Sequence, residues 1–231
     1  MTQLTGPAIR DRGISRRRML GLGAAASLMP LFGALPIARA ATPHDLRFRA
    51  LWQGSSIGEH RIAFRMNGDR LTVDTHIDIT ARVLFFTVFR LAHDAREIWQ
   101  AGRLVSVTSR TDSDGVVLQV YGNAVGDGFR IVGKDGPFLA NARLLTSNSL
   151  WDSRILRETR LIDVQRGGEI GLVAKPLGPE QVETPQGPVR TSRYQIITPF
   201  YAGSVFYDGN QRWVKALIEF KGETVEYVLE A

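Results

Sequence analysis

Apolar and polar residues alternate along most of the chain after residue 41. In Leu71–Ala81 one set of alternate positions is mostly apolar and the other is polar, and Leu46–Trp52 and Val225–Leu229 repeat the pattern. Successive side chains of a β-strand point to opposite faces, so a period of two is typical of a strand with one face buried. The pattern predicts strands over most of the chain.

Turn signals separate these strands at short intervals. Asn67–Gly68 and Asp114–Gly115 are examples of the residue pairs that tight hairpins prefer. Many short strands with glycine-rich turns predict an all-β fold, an antiparallel curved sheet or barrel-like structure. One short helix is predicted near Ser149–Leu161, with Asn148 or Ser149 as its N-cap. The proline-rich stretch Pro176–Pro188 is predicted to be a long hairpin loop.

Residues 1–40 have the order of an export signal. Three arginines that include Arg16 and Arg17 precede a mildly apolar run, which ends at Ala38-Arg39-Ala40. A positive segment, an apolar segment and an A-x-A site indicate a cleaved secretory signal, and the arginine pair is typical of a Tat signal. We expect recognition by the Tat translocase, a periplasmic location and no stable membrane span after cleavage. The alternative is an uncleaved anchor, although prolines and glycines weaken the apolar run.

Composition narrows the function classes. The 231 residues include 29 Lys plus Arg and 23 Asp plus Glu, but six of the arginines lie in residues 1–40. The remaining 191 residues, predicted to be a single β domain over 41–231, are nearly neutral, which argues against a nucleic-acid-binding protein. The absence of cysteine excludes disulfides, thiolate metal sites and a cysteine nucleophile. No cofactor motif or metal motif is present, so neither group is predicted.

One stretch departs from the two-faced pattern. Val83–Phe89 is apolar on both sets of alternate positions. Three interpretations remain open: a strand covered on both faces, a strand that lines an apolar cavity, or an exposed patch for a partner or membrane. The first is the ordinary interpretation of such a strand, and the second is open because a large curved or closed sheet can hold a small ligand.

The next part of the chain places two ionisable residues on an apolar face. Continuing the alternation from Phe89 aligns His93 and Glu97 with Leu91, Ala95 and Trp99. A buried imidazole and carboxylate have their charged forms disfavoured, which makes them candidates for anchoring a ligand or for acid–base chemistry. The predicted ligand-binding residues for an apolar or amphipathic small molecule, such as a lipid, are Phe85, Phe86, Phe89, His93, Glu97 and Trp99.

Two other function classes stay open at this point. In the first, an exported enzyme uses His93 and Glu97 as an acid–base pair, which requires both to open into one pocket. In the second, a structural or assembly protein of the cell envelope binds its partner through an exposed sheet edge.

Two further motifs are interpreted as structural. The sequence around Ser56 matches G-x-S-x-G, but a strand follows it instead of the helix of a hydrolase nucleophile turn, so a hairpin is predicted. Asp74, His76 and Asp78 lie on the polar face of one strand. They are predicted to be a solvated face, since three residues along one strand cannot enclose a metal ion without ligands from elsewhere.

Three segments, together with the twin-arginine leader, resemble an uncharacterised family of exported bacterial proteins, a domain of unknown function. They are Glu97–Leu104 leading into Thr108–Thr111, Ser149–Asp152 and Phe206–Val214. The resemblance implies a curved antiparallel sheet or an incomplete barrel, and some such folds carry lipids in the cell envelope. It implies no catalytic residues.

Overall fold

The computed structural model describes residues 43–83, 86–220 and 222–230. Arg16, Arg17, Ala38, Ala40 and Phe85 therefore lie outside the described residues, and the export signal stays a prediction. Residues Ala41–Ala231 form one compact unit. Within the described part, no helix has the length and hydropathy that a membrane-spanning helix requires.

The chain is built almost entirely from strands. They are β1 (Leu46–Trp52), β2 (Ser55–Asn67), β3 (Arg70–Val83), β4 (Phe86–Gln100), β5 (Arg103–Ser113), β6 (Val116–Val125), β7 (Gly128–Gly133), β8 (Gly136–Asn141), β9 (Arg160–Ile162), β10 (Glu169–Gly171), β11 (Val173–Thr184), β12 (Gly187–Ile197), β13 (Ala202–Asp208), β14 (Trp213–Phe220) and β15 (Glu223–Leu229). The predicted all-β class is confirmed.

Thirteen strands form one antiparallel sheet in the order β11-β12-β13-β14-β15-β1-β2-β3-β4-β5-β6-β7-β8. Every neighbouring pair except β15–β1 follows directly in sequence, because β1 pairs with the last strand of the chain. Strands β9 and β10 form a separate hairpin. The sheet is not closed, since β8 and β11 are its two edges among the described residues. Leu118 of β6 and Ile218 of β14 nevertheless line one cavity, so the sheet curls around a shared interior.

The hairpins follow local sequence chemistry. Asp114 and Gly115 have φ values of 52° and 87°, the pair of left-handed residues that a tight two-residue turn requires. Gln53 and Gly54, at 49° and 77°, make the equivalent turn between β1 and β2. Ser56 follows this turn as an exposed residue of β2. The G-x-S-x-G match is therefore a hairpin, as predicted.

The predicted helix is confirmed but is shorter and tighter than expected. Two 3₁₀ helices span Ser149–Trp151 and Ser153–Arg157. The Asn148 side chain makes no capping bond, whereas the Asp152 carboxylate accepts a hydrogen bond from the backbone N–H of Arg154 at the start of the second helix.

The predicted long loop at Pro176–Pro188 is wrong. This stretch forms most of β11 and the start of β12, with only a tight turn between them. Two of its prolines, Pro176 and Pro179, lie in β11, which is an edge strand. A proline has no backbone N–H, and on the outer side of an edge strand that N–H has no partner strand to bond to, so the proline is tolerated there. Pro176 also lies at a register shift in the β11–β12 ladder.

Candidate functional site

A cavity of about 600 Å³ lies inside the curl of the sheet. Its floor is made by two rows of inward side chains that cross β2 to β6. Strand pairing places His60, Ile77, His93, Thr111 and Leu118 in the first row, and Ile79, Leu91, Ser113 and Val116 in the second. Every member of both rows except His93 lines the cavity.

The opposite wall comes from the other half of the sheet and from two connections. Strands β14 and β15 supply Trp213, Ile218, Val225 and Tyr227, whereas the connections supply Asn148, Leu150, Phe200 and Tyr201. Most of the lining is therefore apolar or aromatic, with a few neutral hydrogen-bonding groups. This composition is typical of small-molecule sites.

Among the described residues, the charged side chains that line the cavity lie at one side of it. Asp114 and Arg166 line it together with the adjacent pair Lys134 and Asp135, whose side chains are 61% and 85% exposed. The Lys134 Nζ atom is 3.8 Å from Asp135 Oδ1, and the Arg166 guanidinium stacks 3.8 Å from the centre of the Phe200 ring. Because these groups reach solvent, they mark the rim, where the two acidic and two basic side chains balance in charge.

His93 lies one layer behind the cavity. Its side chain is fully buried, and Thr111 Oγ1 is 2.8 Å from Nδ1. The Asn148 amide Nδ2 donates to Nε2 at 3.0 Å, so the Nδ1–H donates to Thr111 in the neutral ring. Burial is the main cause that lowers the pKa of His93 to about 4, and the ring is therefore uncharged near neutral pH.

Glu97 is buried deeper in the interior. It is fully enclosed, with Thr146 Oγ1 donating to Oε1 and Trp99 Nε1 donating to Oε2, both at 2.9 Å. Desolvation by burial outweighs these two hydrogen bonds, which favour the ionised form, and raises the pKa of Glu97 to about 7. The carboxyl group therefore changes its charge close to neutral pH.

A short connection joins these two groups. Thr146 Oγ1, the donor to Glu97, also lies 2.9 Å from Ser149 Oγ and accepts from the backbone N–H of Asn148 at 3.3 Å. The Asn148 side chain in turn donates a hydrogen bond to His93. The segment Thr146–Ser149 therefore links both ionisable groups in one buried hydrogen-bond network and carries Asn148 into the cavity wall. We call this set of residues the buried network.

The structure describes five of the six predicted ligand-binding residues, all except Phe85, and places them in three different surroundings. Phe89 lines the cavity, whereas His93, Glu97 and Trp99 are buried on the same inward face without lining it. The predicted ligand-binding role of Phe86 is corrected, because its side chain is 76% exposed and is not part of the cavity wall. Ala81 pairs with Phe89 but Arg82 pairs with Thr87, and this bulge disturbs the alternation before Phe89.

Sequence reasoning missed several residues of the cavity. His60 is the main one, and its signal was present in the pattern. Ile62 and Phe64 are inward positions of β2, and extending their alternation back by one step places His60 on the same face. Asn148, Tyr201 and Trp213 carried no such signal, because their positions depend on connections and distant strands.

The outer face of the sheet carries charged pairs. Asp74 accepts from Arg96 Nε at 2.6 Å and from Arg65, whereas Asp94 lies 2.6 Å from Nδ1 of His76. Among the described residues, no group of three or more His, Asp or Glu side chains is placed to hold a metal ion. Asp74, His76 and Asp78 therefore lie on a polar surface without a metal-binding arrangement.

A family model matches residues 48–230, which is nearly the whole of the sheet, and its description is "Domain of unknown function (DUF6134)". The chain belongs to this family. The resemblance to an uncharacterised family inferred from the sequence is thereby confirmed. No curated protein matches this DUF6134 chain significantly.

A solved structure shares the fold of this DUF6134 domain. It is the crystal structure of a beta-barrel-like protein of domain of unknown function DUF1849 from Brucella abortus. The match has a TM-score of 0.56 and covers 81% of this chain and 95% of that chain, at 8% sequence identity. At this identity the likeness concerns the fold alone, and it confirms the barrel-like class.

Proposed function

We propose that this DUF6134 protein is an exported periplasmic protein that binds an apolar or amphipathic small molecule inside its curved sheet. The observation that carries the proposal is the cavity of about 600 Å³, with its largely apolar lining and solvent-exposed charged rim. Its volume is within the range of sites for small organic ligands. A lipid-like molecule matches such a lining better than a sugar or nucleotide, which needs many more polar partners.

The proposed location depends on the leader. The arginine pair Arg16–Arg17 and the Ala38-Arg39-Ala40 sequence support Tat-dependent export and cleavage after Ala40. A soluble carrier or sensor of apolar molecules is useful in this compartment, because such molecules cross water poorly unless a protein covers them.

The geometry gives less support to an acid–base enzyme. His93 and Glu97 do not open into the same pocket in the described part of the chain, since Asn148 and Thr111 separate His93 from the cavity. Both side chains also use their polar atoms in hydrogen bonds to protein groups. The arrangement favours a role for the pair in holding the cavity wall over a role in contacting a substrate.

Native mass spectrometry of the protein purified from the periplasm tests both parts of the proposal. We expect a chain that begins at Ala41 and a second species that carries a small lipid-like mass. A chain that retains residues 1–40 contradicts the cleavage, and protein that is always empty contradicts the ligand.

Two variants locate the ligand. Leu91→Trp fills the cavity from β4, and we expect it to lose the bound mass while remaining folded. Ala92→Trp adds the same ring to the outer face of the same strand and should retain the mass. Retention of the mass by Leu91→Trp would place the ligand elsewhere.

A further inference from the structure

One buried polar atom of the cavity wall is left unsatisfied. His60 of β2 lines the cavity and is only 7% exposed, yet its Nε2 atom makes no hydrogen bond to any residue that the structure describes. The ring is surrounded by aromatic side chains, with centroid distances of 5.5 Å to Trp213, 5.7 Å to Tyr227 and 6.0 Å to Phe48. These contacts pack the His60 ring among aromatic side chains.

An unbonded polar atom in such a place has an energetic cost. Nearly all buried polar groups are hydrogen-bonded, and an exception in a native protein calls for an explanation such as a ligand. Desolvation by burial lowers the pKa of His60 to about 3, so the ring is neutral near neutral pH. A neutral imidazole has one donor nitrogen and one acceptor nitrogen. A hydroxyl group can satisfy either nitrogen, because it both donates and accepts.

The surroundings of His60 favour an uncharged ligand group. The other polar groups in the inner wall are neutral as well: Asn148, Thr111, Tyr201 and Tyr227. Burial raises the pKa of both tyrosines, which therefore keep their protons. A carboxylate or ammonium group placed here would lose its hydration without gaining an opposite charge, which is costly. The charged residues that line the cavity lie at the exposed rim.

We propose that the inner end of the cavity binds the hydroxyl group of an otherwise apolar alcohol, with the His60 imidazole as its hydrogen-bond partner. This inference rests on the proposed ligand-binding function and narrows the ligand class from apolar or amphipathic molecules to uncharged alcohols. The aromatic side chains around His60 contact the carbon atoms next to the hydroxyl, and the remaining carbon skeleton extends towards the rim.

Paired probes test the hydrogen bond. Protein purified from the periplasm and stripped on a hydrophobic resin is titrated with 1-decanol, 1-chlorodecane and decanoate, with tryptophan fluorescence as the signal, since Trp213 lines the cavity. The measured quantity is the ratio of the affinities for 1-decanol and 1-chlorodecane, because the chloride has nearly the same shape but no hydroxyl. We expect this ratio to fall about fivefold in His60→Leu, the size of one net hydrogen bond. We expect no change in His76→Leu, which alters a histidine of the outer face.

The outcomes separate the two proposals. If the wild type binds none of the three probes, the ligand-binding function fails and this inference fails with it. If the probes bind but His60→Leu keeps the wild-type ratio, or decanoate binds most tightly, only the alcohol inference is overturned.

A second measurement needs no variant. In protein labelled with ¹⁵N in its histidine rings, 1-decanol should shift the His60 nitrogen signals and 1-chlorodecane should not. Equal shifts with both probes contradict the hydrogen bond, and this result stands even if His60→Leu does not fold.

Discussion

Glu97 makes the folding stability of this protein depend on pH in an unusual direction. Its pKa is raised to about 7 in the folded chain from an ordinary value of 4.5, so the folded state holds the proton more tightly than the unfolded state does. A group of this kind contributes stability that is fully present below pH 4.5 and is lost as the pH rises to about 7. The shift corresponds to about 3 kcal/mol in total, most of which falls between pH 5 and pH 8.5.

Glu97→Gln removes this titration while keeping the shape of the side chain. The amide oxygen can accept from Trp99, and the amide nitrogen can donate to Thr146 once the threonine hydroxyl turns towards Ser149. We therefore expect the unfolding free energy of the variant to increase relative to that of the wild type as the pH rises. The difference in unfolding free energy between variant and wild type should be about 2–3 kcal/mol more favourable to the variant at pH 8.5 than at pH 5.

Urea unfolding at several pH values measures this difference directly. The buried histidines act in the opposite sense: their lowered pKa values cost stability as the pH falls below 6.5. Their contribution is present in both proteins and cancels in the comparison. Asp127→Asn, at a side chain that is fully exposed, serves as the control for the loss of a carboxylate. Parallel stability curves for wild type and Glu97→Gln would refute the reasoning.

Two predictions concern the scaffold. Gly58→Ala should lower the unfolding free energy by more than about 2 kcal/mol, because the added Cβ would lie 1.9 Å from the Asp78 carbonyl oxygen. Gly171 has open space around it, so Gly171→Ala should lower the unfolding free energy by less than about 1 kcal/mol. Tyr207→Phe should cost about 1–2 kcal/mol, because the hydroxyl of this buried residue donates to the Leu150 carbonyl at 2.7 Å. The exposed Tyr121→Phe should change stability by less than about 0.5 kcal/mol. Urea or thermal unfolding measures all four, and equal losses within either pair would contradict the argument.

The strand pattern of this protein was readable from its sequence because the period of two survives over long stretches. The inward face of β4 is the best example, since His93 and Glu97 are fully buried as the alternation required. The register of both ladders holds between Phe89 and Ile98, and the irregularities of the β3–β4 and β4–β5 ladders fall at Ala81/Arg82 and Ile98/Trp99. Alternation predicts a face reliably only between such bulges.

The site was harder to predict, because alternation says which face a residue occupies but not what covers that face. His93 and Leu91 are neighbouring inward positions of one strand, yet Asn148 covers His93 and Leu91 faces the cavity. The covering residue lies 55 positions away in sequence, in a connection with no repeating pattern. The bulge before Phe89 likewise had no signal in the sequence.

The buried network offers a physical reason for polar groups in an otherwise apolar interior. Apolar side chains of similar size would often give a more stable core than a buried carboxyl and imidazole. A fully hydrogen-bonded network, however, specifies one position for the groups that it joins. Here it joins β4 to the Thr146–Ser149 connection, and that connection supplies the part of the cavity wall that includes Asn148. The polar groups therefore fix the position of this connection beside the cavity.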